Sequence, residues 1–336
     1  LFLALEYSMS YTIRAIFPAI CLTLILPCSQ IAMAADPAPA KDAKPAETPV
    51  ERAPLPSRSQ EDTLALERTV PAAEQQQLQA GDESFLALWK PANVDEPKGA
   101  VVIVPGADES ADWPNAVGPL RRKLPDVGWS SLSLSMPDAY NDGIFARAAD
   151  APATDDKTAS DKDKAKDPQA KAPDPAASAE ADAAAAAEQA AAQAELSKAN
   201  AEKIFARIDS AVAFAQQNKA RSIVLLGHGT GAYWAARYMS ERPSPAVQKL
   251  VMVTAVDTGK DTPSLLDVLP TLKIATADFV NKERPVARQQ AQDRLDASKR
   301  VKNARFTQVA LNAIPGNSAM EQDQLFRRVR GWLEAQ

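Results

Sequence analysis

One histidine, His228, serves all 336 residues, and 12 glycines and two cysteines stand against 26 prolines. Each shortage excludes something. A catalytic metal needs clustered histidine, cysteine or carboxylate ligands. One histidine and scattered carboxylates offer no such cluster, so neither a metal site nor a cofactor is expected. Both cysteines, Cys21 and Cys28, fall within a segment that reads as removable. The rest of the chain then has no disulfide and no thiolate nucleophile. Basic residues are not in excess: 38 Lys and Arg face 43 Asp and Glu, a net charge of −5. That balance leaves no electrostatic footprint for nucleic acid.

What is present begins with an export signal. Arg14 supplies positive charge, residues 15–27 form a short apolar stretch, and Ala32-Met33-Ala34 is a small-x-small cleavage site. Residues 1–34 are therefore expected to be a signal peptide, with Met9 as the start, cleavage after Ala34, and a periplasmic or secreted product. The apolar stretch is short for a bilayer span, so the mature chain should have none. Lipid attachment at a cysteine is the second reading, although Ala19-Ile20 and Leu26-Pro27 match a lipobox poorly.

Residues 35–60 are rich in Ala, Pro and charge and read as a disordered arm. Residues 61–148 and 200–336 carry the apolar patterning of one folded domain. Between them, residues 149–199 form an insertion: a mixed-charge run, then an alanine-dominated stretch of high helix propensity continuing into Ile204, Phe205, Ile208 and Val212. The alanine part should project from the body. It is either a mobile lid over a pocket or a tolerated surface insertion.

The domain alternates strands and helices. Strands are expected at 85–89, 100–104, 129–136, 222–226, 249–255, 272–275 and 306–311. Helices are expected at 61–79 (broken or kinked at Pro71), 113–127, 230–241, 285–300 and 320–333. The run Ala100-Val101-Val102-Ile103-Val104 is apolar throughout, as in a parallel strand buried on both faces. The fold class is α/β, a doubly wound, mostly parallel sheet.

The most informative stretch is Leu225-Leu226-Gly227-His228-Gly229-Thr230-Gly231-Ala232. A strand leads in and a helix leads out, the setting of the Gly-x-Ser-x-Gly nucleophile elbow. Gly229 stands where the serine belongs. A phosphate loop is the other use of such a turn, but the Gly-x-Gly-x-x-Gly spacing and the Gly-Lys-Ser/Thr ending are both missing.

Together with Phe85-Leu86-Ala87-Leu88-Trp89, Val104-Pro105-Gly106, Asp112-Trp113-Pro114, Pro119-Leu120-Arg121-Arg122, Gly128-Trp129 and Arg327-Arg328-Val329-Arg330-Gly331-Trp332-Leu333, the elbow makes the chain resemble α/β-hydrolase-fold proteins. More narrowly it resembles the exported gammaproteobacterial family DUF3530. The resemblance implies the fold and no substrate. Mapped by position, the triad fails. The nucleophile falls on Gly229, the acid on Asp278, and the loop after the last strand, 312–317, has no histidine.

The remaining site candidates are few. His228 beside the elbow reads as a structural polar group. Thr230 is either a nonstandard nucleophile or a helix-capping hydroxyl. Asp108, Glu109, Asp112 and Asp138 would be the carboxylates of a glycosidase-like pair. Backbone donors at Thr230 and at Ala107, next to Gly106, are the surviving oxyanion hole, able to hold an anion or small molecule at Gly106, Ala107, His228, Gly229 and Thr230. Trp113 and Trp129 lie near that site in sequence; packing is their default role, and an aromatic wall for a ligand is the sharper reading. The preferred reading is a binding or envelope-associated protein that has lost catalysis, with a possible protein partner in the envelope. The alternative is an esterase-like hydrolase using Thr230 or paired carboxylates.

Overall fold

A computed structural model describes residues 56–138, 175–259 and 262–335. The expected signal peptide, nearly all of the arm and the mixed-charge run lie outside the described residues.

Helix α1 (Arg58–Thr69) starts inside the span expected to be arm. Ser57 and Gln60 close a reciprocal capping box around its first turn. It ends before Pro71, which has no N–H to continue the ladder. The expected helix does not resume. Gln75–Ala80 is instead β1, an edge strand paired antiparallel with β2 (Glu83–Lys90) across a turn at Gly81. Its polar sequence QQQLQA suits an edge, where one strand side faces water.

The doubly wound part follows. It runs β3 (Gly99–Val104), α2 (Val117–Lys123), β4 (Trp129–Leu134), α3 (Pro175–Gln217), β5 (Ile223–His228), α4 (Thr230–Glu241), β6 (Val247–Val253), α5 (Leu265–Val268), β7 (Ala275–Asn281), α6 (Pro285–Arg300), β8 (Phe306–Leu311) and α7 (Ser318–Ala335). The single helix expected over 113–127 is shorter, because Pro125 turns the chain into a 3-10 segment. The eight strands lie in the order β1-β2-β4-β3-β5-β6-β7-β8, and every pairing from β4 to β8 is parallel.

Two apolar layers sandwich the sheet. On one side α3, α4 and α5 bury Phe205, Ile208, Tyr233 and Leu265 against Val102, Leu132 and Leu225. On the other, α2 and α7 bury Leu120, Leu124, Val329 and Trp332 against Val101, Ile103 and Val251. The later part of α3 joins the core through Ala201, Ile204, Phe205, Ile208, Ala211, Val212 and Ala215. Those positions share one helical face. The helix has 43 residues, roughly 65 Å at about 1.5 Å per residue. Most residues from 187 to 199 are exposed.

The strand order reverses around β3. From there the chain goes to β4 on one side and, after α3, to β5 on the other. In open α/β sheets, the crevice at the carboxyl ends of such strands is where ligands bind. Here it is flanked by the loop after β3 and the turn after β5.

Candidate functional site

The turn between β5 and α4 is an intact elbow. Gly229 has φ +56° and ψ −123°, a left-handed conformation that costs an ordinary residue strain. Its N–H donates to Val253 O at 3.0 Å, and its carbonyl accepts from Val256 N–H at 3.1 Å. The flanking glycines are steric necessities. A Cβ on Gly227 would sit 2.3 Å from Ala232 Cα, and one on Gly231 would sit 2.2 Å from Val104 O. At Gly229 the reverse holds, since a Cβ there meets nothing within 4 Å. The chain has kept the geometry that presents a side chain at position 229 and has no side chain to present.

The loop after β3 has closed over its own donors. Gly106 N–H donates to Glu109 Oε2 at 2.7 Å, and Ala107 N–H donates to Thr230 Oγ1 at 2.8 Å. The expected oxyanion pair was the backbone N–H of Ala107 and that of Thr230. The structure instead gives the Ala107 donor to the Thr230 hydroxyl. Thr230 is also not a capping residue: it is the first residue of α4, whose N-terminus has no side-chain cap. From outside, the Arg58 guanidinium donates to Ala107 O and fastens α1 to this loop.

His228 is paired. Its Nδ1 lies 2.6 Å from Glu109 Oε1 and 2.8 Å from Oε2, and both side chains are largely buried. An imidazole oriented by a carboxylate is the pairing that builds a general base, and 119 residues separate the two partners. The other expected carboxylates are engaged elsewhere. Asp112 holds Arg121 and Arg122. Asp138 accepts from the Ser59 N–H at 2.9 Å and the Ser59 hydroxyl at 2.6 Å. Burial pushes the Asp138 carboxyl up, but the Ser59 and Ser57 hydrogen bonds and the Arg58 charge outweigh it and hold the pKa below its usual value. Asp108 is exposed. Asp112 and Asp138 anchor loops, and the three carboxylates do not form a facing catalytic pair.

Asp278 requires a correction of place. The strand expected at 272–275 is β7, Ala275–Asn281, so Asp278 lies mid-strand and not beyond its end. It is fully buried and bound by Arg294, with Nε at 2.9 Å and Nη2 at 3.2 Å, and by Gln308 Nε2 at 3.2 Å. The carboxylate that does follow β7 is Glu283, which sequence reasoning missed. Its Oε1 accepts the N–H of Ala313 at 3.0 Å, in the loop where a hydrolase carries its histidine. That loop is also held by Gln324 Oε1 on Asn312 N–H at 2.8 Å and Glu321 Oε1 on Ile314 N–H at 2.7 Å.

Two pockets adjoin the elbow. One, of about 290 Å³, is lined by Ala107, Thr230, Met136 and Trp234, with Gln193 and Ser197 of α3 contributing to its wall. The alanine-rich insertion therefore reaches the site as well as extending beyond it. The other pocket, of about 420 Å³, is lined by His228, Thr254, Val280, Arg284, Arg294 and neighbours. Among the described residues no group of three His, Cys, Asp or Glu is placed to hold a metal, and no helix is long and apolar enough to cross a membrane.

A sheet in this order, with one antiparallel hairpin at its edge and a glycine-flanked strand-to-helix turn at its switch point, is that of an α/β-hydrolase-fold protein. Within that class, the family described as protein of unknown function (DUF3530) matches residues 17–335, and the chain belongs to it. Solved structures with a similar fold include an esterase of Pyrococcus furiosus, 11% identical with a TM-score of 0.49, covering 78% of this chain and 90% of that one. They also include an esterase domain from Rhodothermus marinus, 12% identical with a TM-score of 0.47, covering 77% and 96%. A dienelactone hydrolase of Anabaena variabilis is 14% identical with a TM-score of 0.45, covering 75% and 96%. No curated protein matches the chain.

Proposed function

We propose that this protein binds a small ligand at the elbow of a hydrolase frame and does not hydrolyse it. The observation that carries the reading is the Ala107 N–H···Oγ1 Thr230 bond beside a nucleophile position without a side chain. Oxyanion catalysis requires donors that stay open until charge develops on the substrate. Here one donor is already satisfied and the atom that would attack is missing. The N-terminal charge, apolar stretch and small-x-small site support an exported, periplasmic or secreted protein. The outward-facing residues of α3 support an envelope partner as its second contact.

The competing reading makes Thr230 the nucleophile. A threonine hydroxyl is weak until a base removes its proton. Among the described residues the only hydrogen bond at Thr230 Oγ1 comes from the Ala107 N–H, which is a donor and not a base. Purified protein is therefore expected to hydrolyse p-nitrophenyl esters of varied chain length no faster than Thr230→Ala does. Turnover above background that vanishes in Thr230→Ala would replace this reading with the catalytic one.

A further inference from the structure

The larger of the two elbow pockets occupies the space where, in a serine hydrolase, the acid and base loops would meet. It lies between the end of β7 and the first turn of α7. Its volume of about 420 Å³ falls within the range of small-molecule sites. Two arginines, Arg284 and Arg294, share its lining with amides, hydroxyls, His228 and one carboxylate, Glu321.

Arg294 is only 4% exposed. Its Nε and Nη2 are turned onto Asp278, which leaves Nη1 without a partner among the described residues while the side chain lines the pocket. Arg284 stands at the rim and makes no ion pair among the described residues. The acceptors are partly used. Asn281 Oδ1 takes the Glu283 N–H, and Glu321 Oε1 takes the Ile314 N–H. The apolar wall is aliphatic, formed by Ala255, Val256, Val280 and Ala287.

A guanidinium N–H that opens on a pocket and has no protein partner is matched by an anionic oxygen, because such bonds are charge-assisted. Asp278 already balances the Arg294 charge, so the charge that attracts an anion is that of Arg284. Thr254, which lines the pocket, holds φ +47°. A β-branched residue rarely adopts this conformation, and such strain concentrates at ligand sites.

From these positions we propose that the pocket binds a short-chain aliphatic carboxylate, with its head on Arg294 and Arg284 and its tail along Val256, Val280 and Ala287. The proposal deepens the binding reading above and rests on it. Because the lining apolar groups are aliphatic, hexanoate is the probe and hexanamide, of the same shape without charge, is the control.

Titration calorimetry on the full protein should show saturable binding of hexanoate and none of hexanamide. Arg294→Lys keeps a cation for Asp278 and removes the outward N–H, so it should weaken hexanoate by about tenfold or more. Arg284→Gln, at an exposed position that the fold does not need, should weaken it several-fold and tests the same claim should Arg294→Lys fail to fold. Equal binding of hexanoate and hexanamide, no saturable signal with hexanoate, or wild-type affinity in Arg284→Gln would overturn the proposal. The two readings fail separately. Turnover of p-nitrophenyl hexanoate would sink the non-catalytic reading and leave the carboxylate site standing, whereas equal binding of acid and amide would do the reverse.

Discussion

Asp278→Ala removes the acid half of the buried Asp278–Arg294 pair. In a hydrolase whose acid lay here, the change would remove activity and largely spare the fold. In this structure it should do the opposite. Asp278 is fully buried, and Arg294, itself 4% exposed, spends two of its nitrogens on the carboxylate at 2.9 and 3.2 Å. Gln308 adds a bond at 3.2 Å and keeps a second partner, Ala291 O, at 2.8 Å. Removing the acid leaves a buried guanidinium uncompensated, which costs about 3–5 kcal/mol. For a domain of this size each kcal/mol moves Tm by about 2–4 °C, so the expected drop is roughly 6–20 °C. Chemical denaturation followed by tryptophan fluorescence measures the free energy, and a thermal scan measures the midpoint. The double variant Asp278→Ala with Arg294→Met should recover most of the loss, since replacing a buried pair by apolar groups is often neutral. A single variant within about 1 kcal/mol of wild type, a shift typical of many ordinary substitutions, would refute the reasoning. So would a double variant less stable than the single.

Further predictions concern the elbow and the acid limb of stability. Gly231→Ala and Gly227→Ala drive a Cβ into backbone at 2.2 and 2.3 Å and should yield no folded protein, whereas Gly229→Ala meets only φ strain and should cost about 1–2 kcal/mol. Circular dichroism and denaturation of the three variants check this, and equal losses at all three positions would contradict the close packing of the turn. Glu74 is pushed up by burial, but its bonds to Lys90 and Arg121 outweigh that, and its pKa lies below the usual value. Because the folded pKa is depressed, the stability it contributes is complete above the unfolded value, about 4.3, and is lost as pH falls through the folded value. Glu74→Gln should therefore lower stability at neutral pH and flatten its decline below about pH 4. A denaturation series across pH that gave parallel curves for the two proteins would exclude this role.

How much of this was legible depends on whether a signal is local. Helices α4 and α6 and strand β8 fall on the residues that periodicity assigned, because each is bounded by an unambiguous breaker or a clear change of pattern. Strand β7 slipped. Its sequence ATADFVN carries Thr, Asp and Asn, so an apolar-run reading stops at its first residue and puts Asp278 beyond the strand. What makes a buried Asp tolerable there is Arg294, 16 residues away on another element, and no window of sequence shows that pairing. Strand β1 was hidden for the opposite reason, being an edge strand of glutamines with one buried leucine. The start of α1 was available locally, since Ser57 and Gln60 have capping-box spacing.

The site divides along the same line. The glycines of the elbow and the missing late histidine are visible as residues at fixed spacings. The Glu109–His228 pair, the Thr230 hydroxyl on Ala107 and the tie from Glu283 to Ala313 join positions 30 to 123 residues apart. Topology alone brings them together. The spacing of Glu109, three residues beyond Gly106, was the one local sign that a carboxylate would fold back over that loop.

The central claim is that a preserved elbow presents no nucleophile. It is tested most directly by exposing the purified protein to a fluorophosphonate and measuring its intact mass. The chain is expected to stay unmodified under conditions where a serine esterase is fully labelled. One phosphonyl group per chain, mapped to Thr230 or to any other single residue of the elbow, would contradict the claim.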